Sequence, residues 1–238
     1  MAALALPLTS CGSGSTPHHA ATITPSESNP QETPPAPAST DMSSLKAAST
    51  NLLMRNTSFH ASGTTTAFEG SRTEMWSVPG QGLHIHTTNS QTGKNGDIFC
   101  KDGATYTSAP LFADSLKQSG TASITVPPDL TDVYVKSEMP QGCASMYSIP
   151  ENAKLTPEQD SSVNGAKSYG LTASNALTSD VYQVAAEGRS YLLQLGSTRD
   201  GRSSITTYDS FGEKFTVTLP PMDKTMPLKD FRNRVTGH

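Results

Sequence analysis

The chain has 238 residues, a net charge of −4, and only 16% charged residues. So little charge, slightly acidic in balance, leaves no broad basic surface and argues against nucleic acid as a partner. Beyond the first residues, nothing approaches the run of about 18 apolar residues that a membrane-spanning helix needs.

The chain opens on a small, uncharged run, Ala2-Ala3-Leu4-Ala5-Leu6-Pro7-Leu8, which leads into Leu8-Thr9-Ser10-Cys11 and then Gly12-Ser13-Gly14-Ser15. This resembles the lipobox of bacterial lipoproteins, an aliphatic residue and two small ones before a cysteine. The resemblance implies that Cys11 is acylated and becomes the mature N-terminus. A secretory signal also carries a basic start, and no Lys or Arg precedes Cys11. Residues 1–11 therefore read as a truncated signal with its lipobox, and Met1 as internal to a longer signal. Residues 12–42 hold no aromatic residue and no Lys or Arg, and Pro17, Pro25, Pro30, Pro34, Pro35 and Pro37 punctuate them. Such a composition buries too little apolar surface to offset the entropy of ordering, so a disordered tether is expected. The adjacent His18 and His19 read as polar residues of that arm.

Residues 43–221 are long enough for one domain with its own core. Ser44 to Arg55 reads as a helix capped by Asp41 or Ser43, with Leu45, Ala48, Leu52 and Leu53 on one face. The period then changes to two. Thr57–Glu69, Arg72–Val78, Gly82–Thr88, Asp97–Cys100 and Ala104–Thr107 read as successive strands. The pairs Pro79-Gly80, Asn95-Gly96 and Asp102-Gly103 supply turns between them. Pro110 to Ser119 reads as a short helix with the stripe Leu111, Phe112, Leu116, and Val133–Val135 as a brief strand. The final third returns to strands at Ala166–Thr172, Ser179–Ala186, Ser190–Gly196, Arg202–Tyr208 and Lys214–Leu219. The stripe Tyr191, Leu193, Leu195 lies on one face of the third of these. Residues 222–238 read as a flexible tail.

The expected fold is α+β, a large curved antiparallel sheet whose apolar face is covered by a few helices. Beyond Cys11, Cys100 and Cys143 are left to pair, as suits an oxidising compartment; two separate buried thiols are the alternative. Closing that loop would contribute about 4 kcal/mol in the chain-entropy model.

The lipobox, the Ser/Thr/Pro segment, the opening helix, "SFHASGT" and the closing "GAKSYGLT", "DVYQVAAEGRSYLLQL" and "ITTYDSFGEKFTVTLPP" together resemble actinobacterial LolA-like lipoproteins of the LppX and LprG type. The resemblance implies an open half-barrel with helices in its concave face, a lipid anchor on the extracytoplasmic side of the cell membrane, and an apolar space that takes a lipid-like ligand. A monomer is expected. The walls expected for such a space are Leu45, Leu52, Leu53, Leu111, Phe112, Leu116, Tyr191, Leu193 and Leu195, the same residues that a filled core would use. A filled core corresponds to the other reading, a cell-envelope module that binds a protein partner.

Enzymatic signals are sparse. Ser43-Ser44-Leu45-Lys46 matches Ser-x-x-Lys, but the companion Ser-Asp-Asn and Lys-Thr-Gly motifs are absent, so Ser43 reads as a helix cap. His84 and His86 share a strand face, and His60 on a neighbouring strand could complete a three-histidine cluster. Solvent-facing histidines are the commoner outcome, and no metal, cofactor or catalytic residue is expected.

Overall fold

The computed structural model describes residues 41–66, 71–89, 93, 95–118 and 124–236. In chain order the elements are α1 (Met42–Arg55), β1 (Phe59–Thr64), β2 (Ser71–Val78), β3 (Gly82–Asn89), β4 (Asn95–Lys101), β5 (Ala104–Ser108) and α2 (Ala109–Gln118). Next come β6 (Tyr134–Glu138), β7 (Lys154–Leu155), β8 (Ser161–Val163), β9 (Ala166–Ser174) and β10 (Thr178–Ala185). The last are β11 (Leu192–Arg199), β12 (Arg202–Asp209), β13 (Thr225–Pro227) and α3 (Leu228–Thr236). All the strands join one sheet in the order β13-β6-β5-β4-β3-β2-β1-β12-β11-β10-β9-β7, with β8 also on β9. Every described pairing is antiparallel except that of β13 with β6. The fold is thus α+β, a large and mostly antiparallel sheet with three helices among the described residues.

Residues directly opposite one another across strands share a face, so the register sorts the sheet's two sides. Ala61, Met75, Ile85, Ile98, Thr107 and Val135 form one row of the inner face. Next to it run Phe59, Ser77, Leu83 and Cys100. Phe59, with no exposed surface, meets Tyr147 and Tyr208 edge-on at 5.0 and 5.7 Å between ring centroids. Ala47 and Met54 of α1 and Ile149 and Ala153 of the segment after β6 close this main core. Burial pushes the Tyr208 hydroxyl well above the ordinary tyrosine pKa.

The helix α1 begins at Asp41, whose carboxylate accepts from the Ser43 N–H at 3.2 Å, as the sequence suggested. Its buried face is a different one. Ser43, Ala47, Thr50 and Met54 point inward, while Leu45 and Leu52 are 51% and 63% exposed and Leu53 is half-buried. Polar contacts set the rotation. The Asn51 amide donates to the Ile149 carbonyl at 2.8 Å and accepts from the Ile149 N–H at 2.8 Å, and the Ser43 hydroxyl accepts from the Leu155 N–H at 3.1 Å. A helix held by these bonds presents small residues to a closely packed neighbour, and its leucines turn outward.

Three further expectations are corrected. Asn95-Gly96 opens β4, paired with Thr88 and Thr87, instead of forming a turn, and the glycine serves a close approach: a Cβ there would sit 2.6 Å from the Leu111 Cβ. Residues 214–219 form no regular strand. Their alternation is right, but β1 and β2 already have partners on both sides, so this part of the sheet offers no edge. The segment instead crosses the β2–β3 turn, with Val217 buried and its N–H donating to the Gln81 side chain at 3.0 Å. Residues 222–236 are not a loose tail: they form β13 and α3, and Phe231 is fully buried in a second core with Ala109, Leu130 and Val135.

Cys100 and Cys143 are bonded, with their Cα atoms 5.6 Å apart. Cys11 and nearly all of the 12–42 segment lie outside the described residues.

Candidate functional site

Beside the main core, the inner face leaves a cavity of about 260 Å³. Its apolar wall comes from Met75, Ile85 and Ile98, one residue from each of three neighbouring strands, together with Met146, Leu195 and Tyr208. Hydroxyls make much of the remaining surface: Thr73 and Thr87 on one side, Ser197, Ser204 and Thr206 on the other. Arg199, at the end of β11, contributes the one charged side chain among the described lining residues.

Behind Arg199 stands Asp180, a buried carboxylate on β10. It accepts from the Arg199 guanidinium at 2.6 Å, from the Ser197 hydroxyl at 2.7 Å and from the Tyr182 hydroxyl at 3.4 Å. A buried carboxylate without such partners would be strongly destabilising. Burial first, and then the Asp180 charge, raise the Tyr182 hydroxyl far above the usual tyrosine pKa.

Of the residues expected to wall a ligand space, Leu195 alone is among the described residues that line this cavity. Leu45 and Leu52 face outward, Leu52 onto a separate groove beside Ile149 and Glu151. Leu111 covers Gly96, Phe112 meets Phe231 edge-on at 5.6 Å, and Leu116 is half-buried on the same helix. Tyr191 stacks on Phe211 at 4.1 Å, at a different groove. Leu193 falls at a register shift: Gln183 pairs with Gln194 and Val184 with Leu192, so the fully buried Leu192 takes the core position. A β-bulge of this kind inverts the face on which later side chains emerge. The apolar wall of this cavity, Met75, Ile85 and Ile98, was marked in sequence only by period-two alternation in β2–β4.

The outer face carries the histidines. The directly opposed row His60, Trp76, His84, Phe99, Tyr106 and Lys136 crosses six strands. Trp76 stands between His60 and His84, at 5.4 Å from each, and His84 stacks on Phe99 at 4.3 Å. His60 Nδ1 pairs with Asp209 at 2.9 Å, whereas His84 Nε2 and His86 Nδ1 both meet one oxygen of Asp97 at 2.8 Å. His60 is thus engaged apart from His84 and His86, which converge on Asp97, and among the described residues no group of three metal-ligating side chains is arranged to hold an ion.

The hydrogen bond from His84, then that from His86, holds the Asp97 carboxyl below its ordinary pKa. A carboxylate depressed in this way stabilises the fold above the unfolded value of about 3.9, and the contribution disappears as pH falls through the lower folded value. Asp97→Asn is accordingly expected to be less stable than the parent at neutral pH, with the gap closing in acid. Urea titrations of both proteins across that range check this, and a gap that is constant with pH would contradict it.

Taken together, the described residues form a broad sheet with a part-apolar, part-hydroxyl cavity on its inner face. No family model matches the chain, and no curated protein matches it in sequence. Its likeness is to solved structures, three of which follow, each at 9% identity. An uncharacterised conserved protein from Thermus thermophilus superposes with a TM-score of 0.51 over 79% of this chain and 99% of that one. LprF from Mycobacterium bovis gives 0.43 over 75% and 96%, and the Mycobacterium tuberculosis lipoprotein LppX gives 0.43 over 74% and 98%.

Proposed function

We propose that this chain is a lipoprotein anchored through Cys11 to the extracytoplasmic face of the cell membrane, and that its inner-face cavity takes an apolar or lipid-like ligand. The observation that carries the ligand is the wall of Met75, Ile85, Ile98, Met146 and Leu195 left unfilled on the inner face beside the main core. Apolar concavities with a few fixed polar groups are the usual form of a small-molecule site. The Cys100–Cys143 bond suits an oxidising compartment, and the Leu8–Cys11 sequence supports the anchor.

The ligand is tested by organic extraction of the purified protein and by titration with a neutral fluorescent apolar probe. Ile85→Trp, which directs a large ring into the cavity, is expected to weaken probe binding at least about tenfold, a loss of roughly 1.4 kcal/mol. Saturable binding that Ile85→Trp leaves unchanged would place the ligand elsewhere. The anchor is tested by detergent partition of parent and Cys11→Ala, each produced behind a full secretion signal; equal aqueous partition would remove it from the account.

The exposed stripe Met42, Leu45 and Leu52 on α1 favours a second reading, an envelope module that docks a protein partner. No extractable lipid and no probe titration would leave that reading standing.

A further inference from the structure

The three strands β10, β11 and β12 carry a polarity gradient along the inner face. Their opposed residues run from Thr178, Arg199 and Arg202, through Asp180, Ser197 and Ser204, to Tyr182, Leu195 and Thr206. Beyond these, Val184 and Leu192 are wholly buried. The cavity touches this gradient at Arg199, Ser197 and Ser204 at one end and at Leu195 and Tyr208 at the other. Such a surface has the shape of an amphiphile, with a polar head at Arg199 and a tail toward Ile85 and Ile98.

We propose that the Asp180–Arg199 pair selects the head group, admitting an amphiphile with an uncharged head of hydroxyl and ester oxygens and rejecting a free carboxylate. This rests on the reading of the cavity as an apolar ligand site. A guanidinium has five N–H donors. Here one nitrogen is engaged by Asp180 at 2.6 Å and another by the Thr198 carbonyl at 3.0 Å, which leaves further donors for an oxygen in the cavity. The Ser204, Thr73 and Thr87 hydroxyls, which line the same space, both donate and accept. Arg199 alone would favour any anion. Asp180 cancels that charge from behind, and Arg202, opposite Arg199, is exposed and outside the cavity lining, so a ligand carboxylate would bring a second negative charge close to the first in a partly dehydrated site. An ester or hydroxyl head takes the same hydrogen bonds without the repulsion, and specificity then comes from the element that repels the wrong head.

The test uses the full chain and two probes with the same medium-length acyl chain, a monoacylglycerol and the corresponding fatty acid at neutral pH. Each displaces a neutral fluorescent naphthylamine. The parent is expected to prefer the monoacylglycerol by about tenfold. Asp180→Asn, which leaves the Arg199 charge uncompensated, is expected to reverse the preference toward the fatty acid. Asp180→Asn combined with Arg199→Gln removes both charges and is expected to bind the two probes equally, which keeps the test decisive if the single variant folds poorly. Equal binding of both probes by the parent, or an unchanged preference in the variants, would overturn head selection while leaving the cavity occupied. A parent that binds neither probe would instead overturn the cavity reading on which the proposal rests.

Discussion

Replacing Cys100 and Cys143 together by alanine is expected to lower the stability of the domain by about 4 kcal/mol, the chain-entropy value for a loop of this length. The bond spans 43 residues of sequence, and the unfolded chain gains most of its freedom when so long a loop is released. Domains of this kind are stable by only about 5–15 kcal/mol, so the change is a large share of the total. Its distribution follows from what the loop contains. Residues between the two cysteines supply β5, α2 and β6, and with them Ala109, Leu130 and Val135 of the second core. Cys100 is itself fully buried in the main core and Cys143 packs against it, so the bridge closes on the main core the loop that carries the second. Urea unfolding of the double variant should show a lower midpoint and a steeper dependence on denaturant, because the unlinked chain exposes more surface. Non-reducing mass spectrometry of the parent should show the mass of the bridged form. A stability change under about 1 kcal/mol would mean that the loop is not the source of the stabilisation.

The strands were legible where alternation was strict and an adjoining edge was free. Leu83 and Ile85, with His84 and His86 between them, declare one buried and one wet face, and β3 presents them so. The pairing of Cys100 with Cys143 was legible once the lipobox reading set Cys11 aside and left two cysteines. The helix face was not. Counting Leu45, Leu52 and Leu53 treats hydrophobicity as decisive, while Asn51 and Ser43, through bonds to Ile149 and Leu155, held the helix in another rotation. Hydrogen bonds to a segment about a hundred residues away leave no local trace. The Tyr191, Leu193, Leu195 stripe failed for a related reason: a single bulge exchanges which residues face inward, and the strand's own composition does not announce it. Arg199 was unremarkable in sequence because its meaning lies in Asp180, on the neighbouring strand.

Phe231→Ala is expected to cost about 3–5 kcal/mol, the range for truncating a fully buried phenylalanine, and to release the C-terminal segment. The composition of residues 222–238 concealed this role, since Lys224, Lys229, Arg232 and Arg234 dominate it. One aromatic residue reverses the outcome. Phe231 has no exposed surface, meets Phe112 edge-on, and is surrounded by Ala109, Leu130 and Val135. The charges act around that anchor, with Arg234 paired to Asp129 and Lys224 to Asp132, but both pairs are exposed and such pairs contribute about 0–1 kcal/mol each. The strand β13 adds its parallel pairing to β6 at the sheet edge, Met226 opposite Val135. Removing the ring therefore takes away the dominant contact, and β13 and α3 should open together as a local unit before the main core unfolds. Hydrogen exchange should show amides of 225–236 losing protection in Phe231→Ala while those of β1, β2 and β12 keep theirs. A variant in which exchange rises equally throughout the sheet would mean that the second core is not separable from the first. A loss below about 1 kcal/mol would mean that Phe231 is not the anchor its burial describes.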